Sequence, residues 1–252
     1  LESVRKGHLE VAELLLEKGA KSDIVKDFGT ETPMSIAVEQ NNKAAVFLLN
    51  NYLPEEKQNH QFGRRRKIIV TGGNRGIGKA IAKELLKEGH QVVIVARKEN
   101  EGNRVVEELK KETQNPYISL LQGDLSSIRT CKELVRKIEV THPDIEVLIN
   151  YAGVWMTEKQ LNEDGLEMTF MVNYLAPYLL CKGLFPILEK NQAARIVNVN
   201  SALYTAGKLD IEKTPYGLDF GKIKTYANSK FCNMLFHMDF AKEIESSGVT
   251  LN

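Results

Sequence analysis

The stretch IIVTGGNRGIGKAIAKELL, residues 68–86, joins an apolar β-branched run to an amphipathic helix through a glycine-rich turn. The first run reads as a buried strand, and from residue 77 onward the apolar residues recur at helical spacing. Three glycines suit three tasks. Gly72 permits a tight turn, Gly76 lets backbone approach a pyrophosphate, and Gly78 allows close helix–strand packing. The N–H groups and dipole at the helix start favour an anion there. Bracketed by strand and helix, the triplet predicts a dinucleotide-binding loop that includes Asn74, Arg75 and Ile77; a purely structural turn is the weaker alternative.

Outward from this unit the pattern repeats. Strand-like runs at 67–71, 91–96, 117–122, 146–150, 194–200 and 249–251 alternate with helical stretches at 77–87, 100–113, 127–141, 166–189 and 222–246. Such alternation predicts an α/β fold, a doubly wound parallel sheet of Rossmann type covered on both faces. The second strand ends in VARKEN, where an NAD-selecting carboxylate would stand about 20 residues beyond the glycines. Arg97 occupies that region instead, with Arg75 inside the loop. Guanidiniums fork onto a 2′-phosphate, so NADP(H) is favoured over NAD(H).

The totals exclude other classes. A net charge of +1 gives no global drive toward nucleic acid or an anionic membrane. The run 64–67 (RRRK) reads as a solvated linker rather than a localisation signal. Three widely spaced cysteines argue against a disulfide framework and suit a cytoplasmic protein, and five scattered histidines offer no metal set. No apolar run approaches the ~18 residues of a membrane span, and no signal peptide is expected. The first residue is Leu1, which marks the chain as an expected fragment.

Residues 1–50 have a different style. SVRKGHLEVAELLL aligns with AVEQNNKAAVFLLN at an offset of 34, Val4 on Val38 and Leu14-Leu15 on Leu48-Leu49. This resembles the ~33-residue ankyrin period, with Gly29 as turn glycine, Glu31 as an insertion and Thr32-Pro33 opening a helix. Ser35 stands where the ankyrin signature has histidine. Only about one and a half repeats are present, fewer than a stable stack needs. The segment is therefore expected either to end a longer array or to dock on the next domain, and an ordinary helical hairpin is the alternative. A polar linker is expected over 51–63, so the domains are 1–50, a small all-α ankyrin-like segment, and 64–252.

From Lys67 on, the chain resembles the short-chain dehydrogenase/reductase family. TGGNRGIG matches its glycine motif. GDL, with Asp124 and Leu125, ends the third strand, where the family contacts adenine. NYAG, with Asn150, Ala152 and Gly153, ends the fourth beside the cofactor. Asn173, Ser201 and the pair Tyr226 and Lys230 follow in family order. The insertion at 203–225 is most similar to the retinol dehydrogenase-like branch. This order chooses among three Tyr-x-x-x-Lys pairs: Tyr178 and Lys182 read as packing with a snorkelling lysine, Tyr204 and Lys208 lie in an irregular segment, and Tyr226 begins an amphipathic helix with Phe231, Met234, Leu235, Met238 and Ala241 at helical intervals. Small residues 227–229 are expected to leave room for cofactor.

The resemblance implies an alcohol-to-aldehyde or ketone oxidoreductase. Hydride transfer to a carbonyl leaves an alkoxide that needs a proton as it forms. Tyr226 is implied as acid/base, with the nearby Lys230 ammonium favouring phenolate and holding the nicotinamide ribose. Ser201 would bond the substrate oxygen, and Asn173 would hold a water linking Lys230 to solvent. The long helices imply a homodimer. Departures from the family are Tyr151 for its second asparagine, Asn200 for its first serine, and an end at the sixth strand, which reads as a C-terminal truncation exposing an apolar sheet edge. The rival reading is a truncated cofactor-binding module, with little turnover, in an ankyrin-fused interaction protein that meets a protein partner through its helices.

Overall fold

The computed structural model describes residues 1–23, 31–53, 65–191 and 193–252. Gly29, Arg64 and most of the expected linker lie outside these residues. Four short helices come first: α1 (Glu2–Arg5), α2 (Leu9–Glu17), α3 (Pro33–Glu39) and α4 (Lys43–Asn51). There follow β1 (Lys67–Thr71), α5 (Gly76–Lys87), β2 (Gln91–Ala96), α6 (Glu99–Thr113), β3 (Ile118–Gln122), α7 (Ile128–Thr141) and β4 (Val147–Asn150). The second half holds α8 (Met168–Phe170), a π-helical stretch Met171–Leu175, α9 (Ala176–Leu188), β5 (Arg195–Asn198), α10 (Lys222–Glu243) and β6 (Thr250–Leu251).

The strands form one parallel sheet in the order β3-β2-β1-β4-β5-β6. Side chains alternate along each strand. Ile69, Val93, Val95, Leu148 and Ile196 enter the core shared with Leu134, Leu180, Leu184 and Phe240. Ile68, Val70, Val92, Ile94 and Ile149 enter the core shared with Ala82, Leu86 and Leu109. Helices therefore cover both faces, as the uninterrupted β-branched runs require. The chain winds outward from β1 to β3 and then returns to β4 beside β1. That reversal opens a crevice at the carboxyl ends of β1 and β4, the place where open α/β sheets bind ligands.

Several expectations need correction. The continuous helix Met168–Leu188 is, by length and apolarity, sufficient to cross a membrane. Here its apolarity serves packing: Leu180, Cys181, Leu184 and Leu188 are buried against the sheet. An aromatic ladder also ties it to α10, with Tyr178 edge-on to Phe236 at 5.0 Å and Phe185 to Phe240 at 5.8 Å. On α10 the apolar set named in the sequence divides: Phe231, Met234 and Ala241 are partly buried, whereas Leu235 is 40% and Met238 58% exposed. The face actually buried runs through Ser229, Cys232, Asn233, Phe236 and Phe240. Helical period alone does not choose between two apolar faces.

The N-terminal helices dock on the sheet's flank. Thr32 caps α3 in a capping box that Ser35 completes. Phe47 packs against Gly89, where a Cβ would come within 2.8 Å of the ring, and stacks toward His90 at 6.1 Å. Arg65 lies 3.9 Å over the Tyr117 ring and 3.2 Å from Glu13, which also accepts the Tyr117 hydroxyl at 2.9 Å. Burial pushes the Tyr117 phenol up to about 12, so it stays a donor to Glu13.

Candidate active site

The glycine loop leaves β1 directly. Gly72 (φ +70°) turns the chain, and a Cβ there would meet Ala152 at 3.0 Å. Gly76 (φ +53°) opens α5 with open space where a Cβ would project. Gly78 packs under the Gly72 carbonyl, 2.3 Å from a built Cβ, and beside the Tyr151 ring. Arg75, the N-cap of α5, makes no side-chain cap bond. The helix start thus offers uncapped N–H groups beside open space, a cradle that fits a pyrophosphate. Arg75 and Arg97 are both exposed, and neither forms an ion pair among the described residues. Asn74 is half-buried in the same turn, and Ile77 is exposed on the first turn of α5.

Thr71 connects this loop to the segment after β4. Its Oγ1 accepts the N–H groups of Tyr151 at 3.1 Å and Ala152 at 3.0 Å. Tyr151 therefore fills the gap beside Gly78 while its backbone is held to β1. Gly153 is exposed, and half-buried Asp124 accepts the Ser126 N–H at 3.0 Å. Leu125 packs on the cores below. Asn150 does not face the crevice. Only 4% exposed, it donates to Asn198 Oδ1 at 2.8 Å and to Cys181 Sγ at 3.3 Å, joining β4 to β5 and α9.

The tyrosine side is assembled from distant segments. Lys230 Nζ lies 5.8 Å from the Tyr226 ring centroid and donates to the Val199 carbonyl at 3.0 Å. Asn200 Nδ2 donates to the Lys230 carbonyl at 3.3 Å, and Asn200 Oδ1 accepts the Ser201 N–H at 2.9 Å. These bonds stitch the end of β5, and with it Ser201, to α10. Asn200, which stands where the family has its first serine, is thus a fastening. Lys230 is 6% exposed, and burial draws its pKa down. One bond occupies one of its three donor positions, leaving donors suited to ribose hydroxyls. Ala227, Asn228 and Ser229 are fully packed rather than spacious: Gly207 lies so close that a Cβ would sit 2.3 Å from the Ala227 carbonyl. The small residues admit the 3₁₀ segment Ala202–Ala206, not a ligand.

Asn173 lies within the π stretch Met171–Leu175. Residue 177, four further on, is a proline with no N–H, so the Asn173 carbonyl lacks its α-helical donor. Asn233 Nδ2 supplies one at 2.6 Å. The Asn173 side chain then grips one residue from both sides, accepting the Val154 N–H at 2.7 Å and donating to the Val154 carbonyl at 2.9 Å. Its Nδ2 also donates to Ser229 Oγ at 3.3 Å, so for the water implied by the resemblance the second lone pairs of the backbone and side-chain carbonyls remain. Sequence reasoning missed Asn233, Asn200 and Trp155, whose indole stacks on Tyr226 at 4.6 Å. The signal for Trp155 was positional, an aromatic residue two places beyond the strand-end glycine.

A family model described as short chain dehydrogenase matches residues 66–252. The chain belongs to this family. Among curated proteins, this short chain dehydrogenase is 34% identical over 188 residues to retinol dehydrogenase 13 of Mus musculus, covering 74% of this chain and 56% of that one. It is also 34% identical over 193 residues to polyprenol dehydrogenase of Homo sapiens, covering 74% and 58%. These likenesses put it in the retinol dehydrogenase-like branch, although it spans little more than half the length of these relatives. A solved metagenomic short-chain oxidoreductase in complex with NADP is 25% identical, with a TM-score of 0.61 over 74% of this chain and 80% of that one.

Proposed function

We propose that the chain carries the site of an NADP(H)-dependent oxidoreductase that interconverts an alcohol and an aldehyde or ketone. The observation carrying this reading is Lys230, a buried ammonium with unused donors, 5.8 Å from the Tyr226 ring and bonded to the strand end that bears Ser201. The nicotinamide cofactor, when bound, supplies or accepts the hydride. The chain's own residues do the rest. The α5 start and glycine loop bind the pyrophosphate, and Lys230 orients the nicotinamide ribose. Tyr226 gives its phenolic proton to the carbonyl oxygen in reduction and takes it back in oxidation, while the Ser201 hydroxyl bonds that oxygen as charge develops. The unpaired guanidiniums of Arg75 and Arg97 support NADP(H) over NAD(H).

The test is Tyr226→Phe with NADPH and a panel of aldehydes and ketones. Turnover is expected to fall by about 10²–10⁴-fold while cofactor affinity stays nearly intact; retained turnover overturns the mechanism. Calorimetry with NADPH and NADH checks the cofactor, and equal or tighter NADH binding overturns that preference. Three buried free thiols accord with a reducing compartment, on which we base the cytoplasm as proposed location. The outward stripe of Leu235 and Met238 on α10 supports a homodimer through that face. A second reading, the ankyrin-fused interaction protein, is favoured by one feature: Val11, Leu14, Leu15 and Val38 are half-exposed on α2 and α3, an apolar face fit for a protein partner.

A further inference from the structure

The chain has a single tryptophan, and no catalytic motif accounts for it. Trp155 lies on the segment leaving β4, at the crevice where the parallel strands end. Its indole is nearly parallel to the Tyr226 ring, with centroids 4.6 Å apart and planes at 19°. The arrangement is built rather than incidental. Asn173 holds both polar groups of Val154, the residue immediately before, and is itself held through its carbonyl by Asn233. The backbone that aims the indole is therefore anchored to two core helices. Yet the indole remains 49% exposed, so one side of it stacks on the phenol while much of the rest is open to solvent.

This geometry leaves the Tyr226 phenol with one ring face covered. On its other flank α10 is bonded to the strand end through Lys230, Val199 and Asn200. In the oxidoreductase reading, a carbonyl that reaches the Tyr226 phenol passes beside the flat indole stacked on that ring. We propose that Trp155 is a specificity-determining residue whose indole walls this approach and selects carbonyls with one slim substituent, such as aldehydes, over ketones with two bulky ones. The proposal rests on the oxidoreductase reading of the same site. A slim arm lies flat on the indole; a second bulky arm collides with it.

The experiment compares wild type, Trp155→Ala and Trp155→Phe, using hexanal and dicyclohexyl ketone with NADPH. In Trp155→Ala the preference in kcat/KM for hexanal is expected to fall by at least about ten-fold, within the range that apolar pocket contacts supply. Trp155→Phe, which keeps an aromatic wall, should retain the preference within about three-fold, and NADPH affinity should stay within about two-fold in both variants. An unchanged preference in Trp155→Ala, or equal relaxation in Trp155→Phe, overturns the proposal. Ligand-observed NMR on the protein loaded with oxidised cofactor separates this from failure of the oxidoreductase reading. Without any turnover, that reading falls, whereas a bulky ketone binding Trp155→Ala at least about ten-fold more tightly than wild type still supports the wall. Equal binding, or no carbonyl binding, overturns it.

Discussion

The glycine loop and the tyrosine site border one crevice but are built in opposite ways. The loop is local: Gly72 to Gly78 come from seven consecutive residues, backed by Ile94 and Val95 of β2 and by Tyr151 and Ala152, which Thr71 ties on. The tyrosine site draws Tyr226 and Lys230 from α10, Ser201 from beyond β5, Asn173 from a π stretch and Val154 from beyond β4. Local sites are limited by backbone sterics. Sites assembled at a distance depend on polar bonds that hold their segments together, so damage spreads differently in each.

Lys230→Met should separate the two most strongly. It removes both the charge beside Tyr226 and the bond to Val199, so turnover should drop by about 10²–10⁴-fold. Cofactor affinity should weaken by about ten-fold through lost charged hydrogen bonds, as calorimetry would record. Intact turnover would make the tyrosine site independent of its lysine. Gly78→Ala strikes the other side. Its Cβ would press on the Gly72 carbonyl, forcing α5 away from β1, at a cost of about 1–3 kcal/mol in urea unfolding. Here cofactor affinity should fall more than the rate at saturating cofactor; the reverse would blur the comparison.

Asn233→Ala sharpens it further. The Asn173 carbonyl, already deprived of a helical donor by Pro177, loses its replacement, which costs about 1–3 kcal/mol for a buried unpaired group. Activity should decline several-fold with nearly unchanged cofactor affinity, because Lys230 keeps its bond to Val199 and the glycine loop is untouched. The smallest effect concerns His90, beyond α5. Burial, aided by the Arg66 charge, lowers its pKa, and its Nδ1 accepts the Arg66 N–H at 3.3 Å. The unfolded chain then binds the proton first, so stability held above about pH 6.5 is lost as pH falls below it. A His90→Gln variant should show a shallower fall in Tm between pH 7.5 and 5.5, by about 1–3 °C. Equal slopes would show that His90 titrates alike in both states.

Legibility followed the same division. The strands were readable to within two residues because β-branched runs buried on both faces have one use. The glycine loop was readable because positive φ and close approach admit few other residues. Tyr226 and Lys230 were located through motif order, since three tyrosine–lysine pairs share the same spacing. The cross-sheet bonds of Asn150, to Asn198 and Cys181, were not readable, because an amide at a strand end has several partners within reach once the strands pair. The buried face of α10 was not readable because Leu235 and Met238 are as apolar as the Phe236 and Phe240 face that the sheet accepted.

By itself the sequence determined the alternation of strand and helix and the glycine-rich turn between β1 and α5, because short-range sterics and hydrophobic period act between near neighbours. Only the tertiary structure decided that Asn173 grips Val154, that Asn200 fastens Ser201 to Lys230, and that Trp155 covers Tyr226. Those contacts join residues 19 to 71 positions apart. Their geometry exists once the sheet has brought its strand ends to one edge, and no local pattern encodes it.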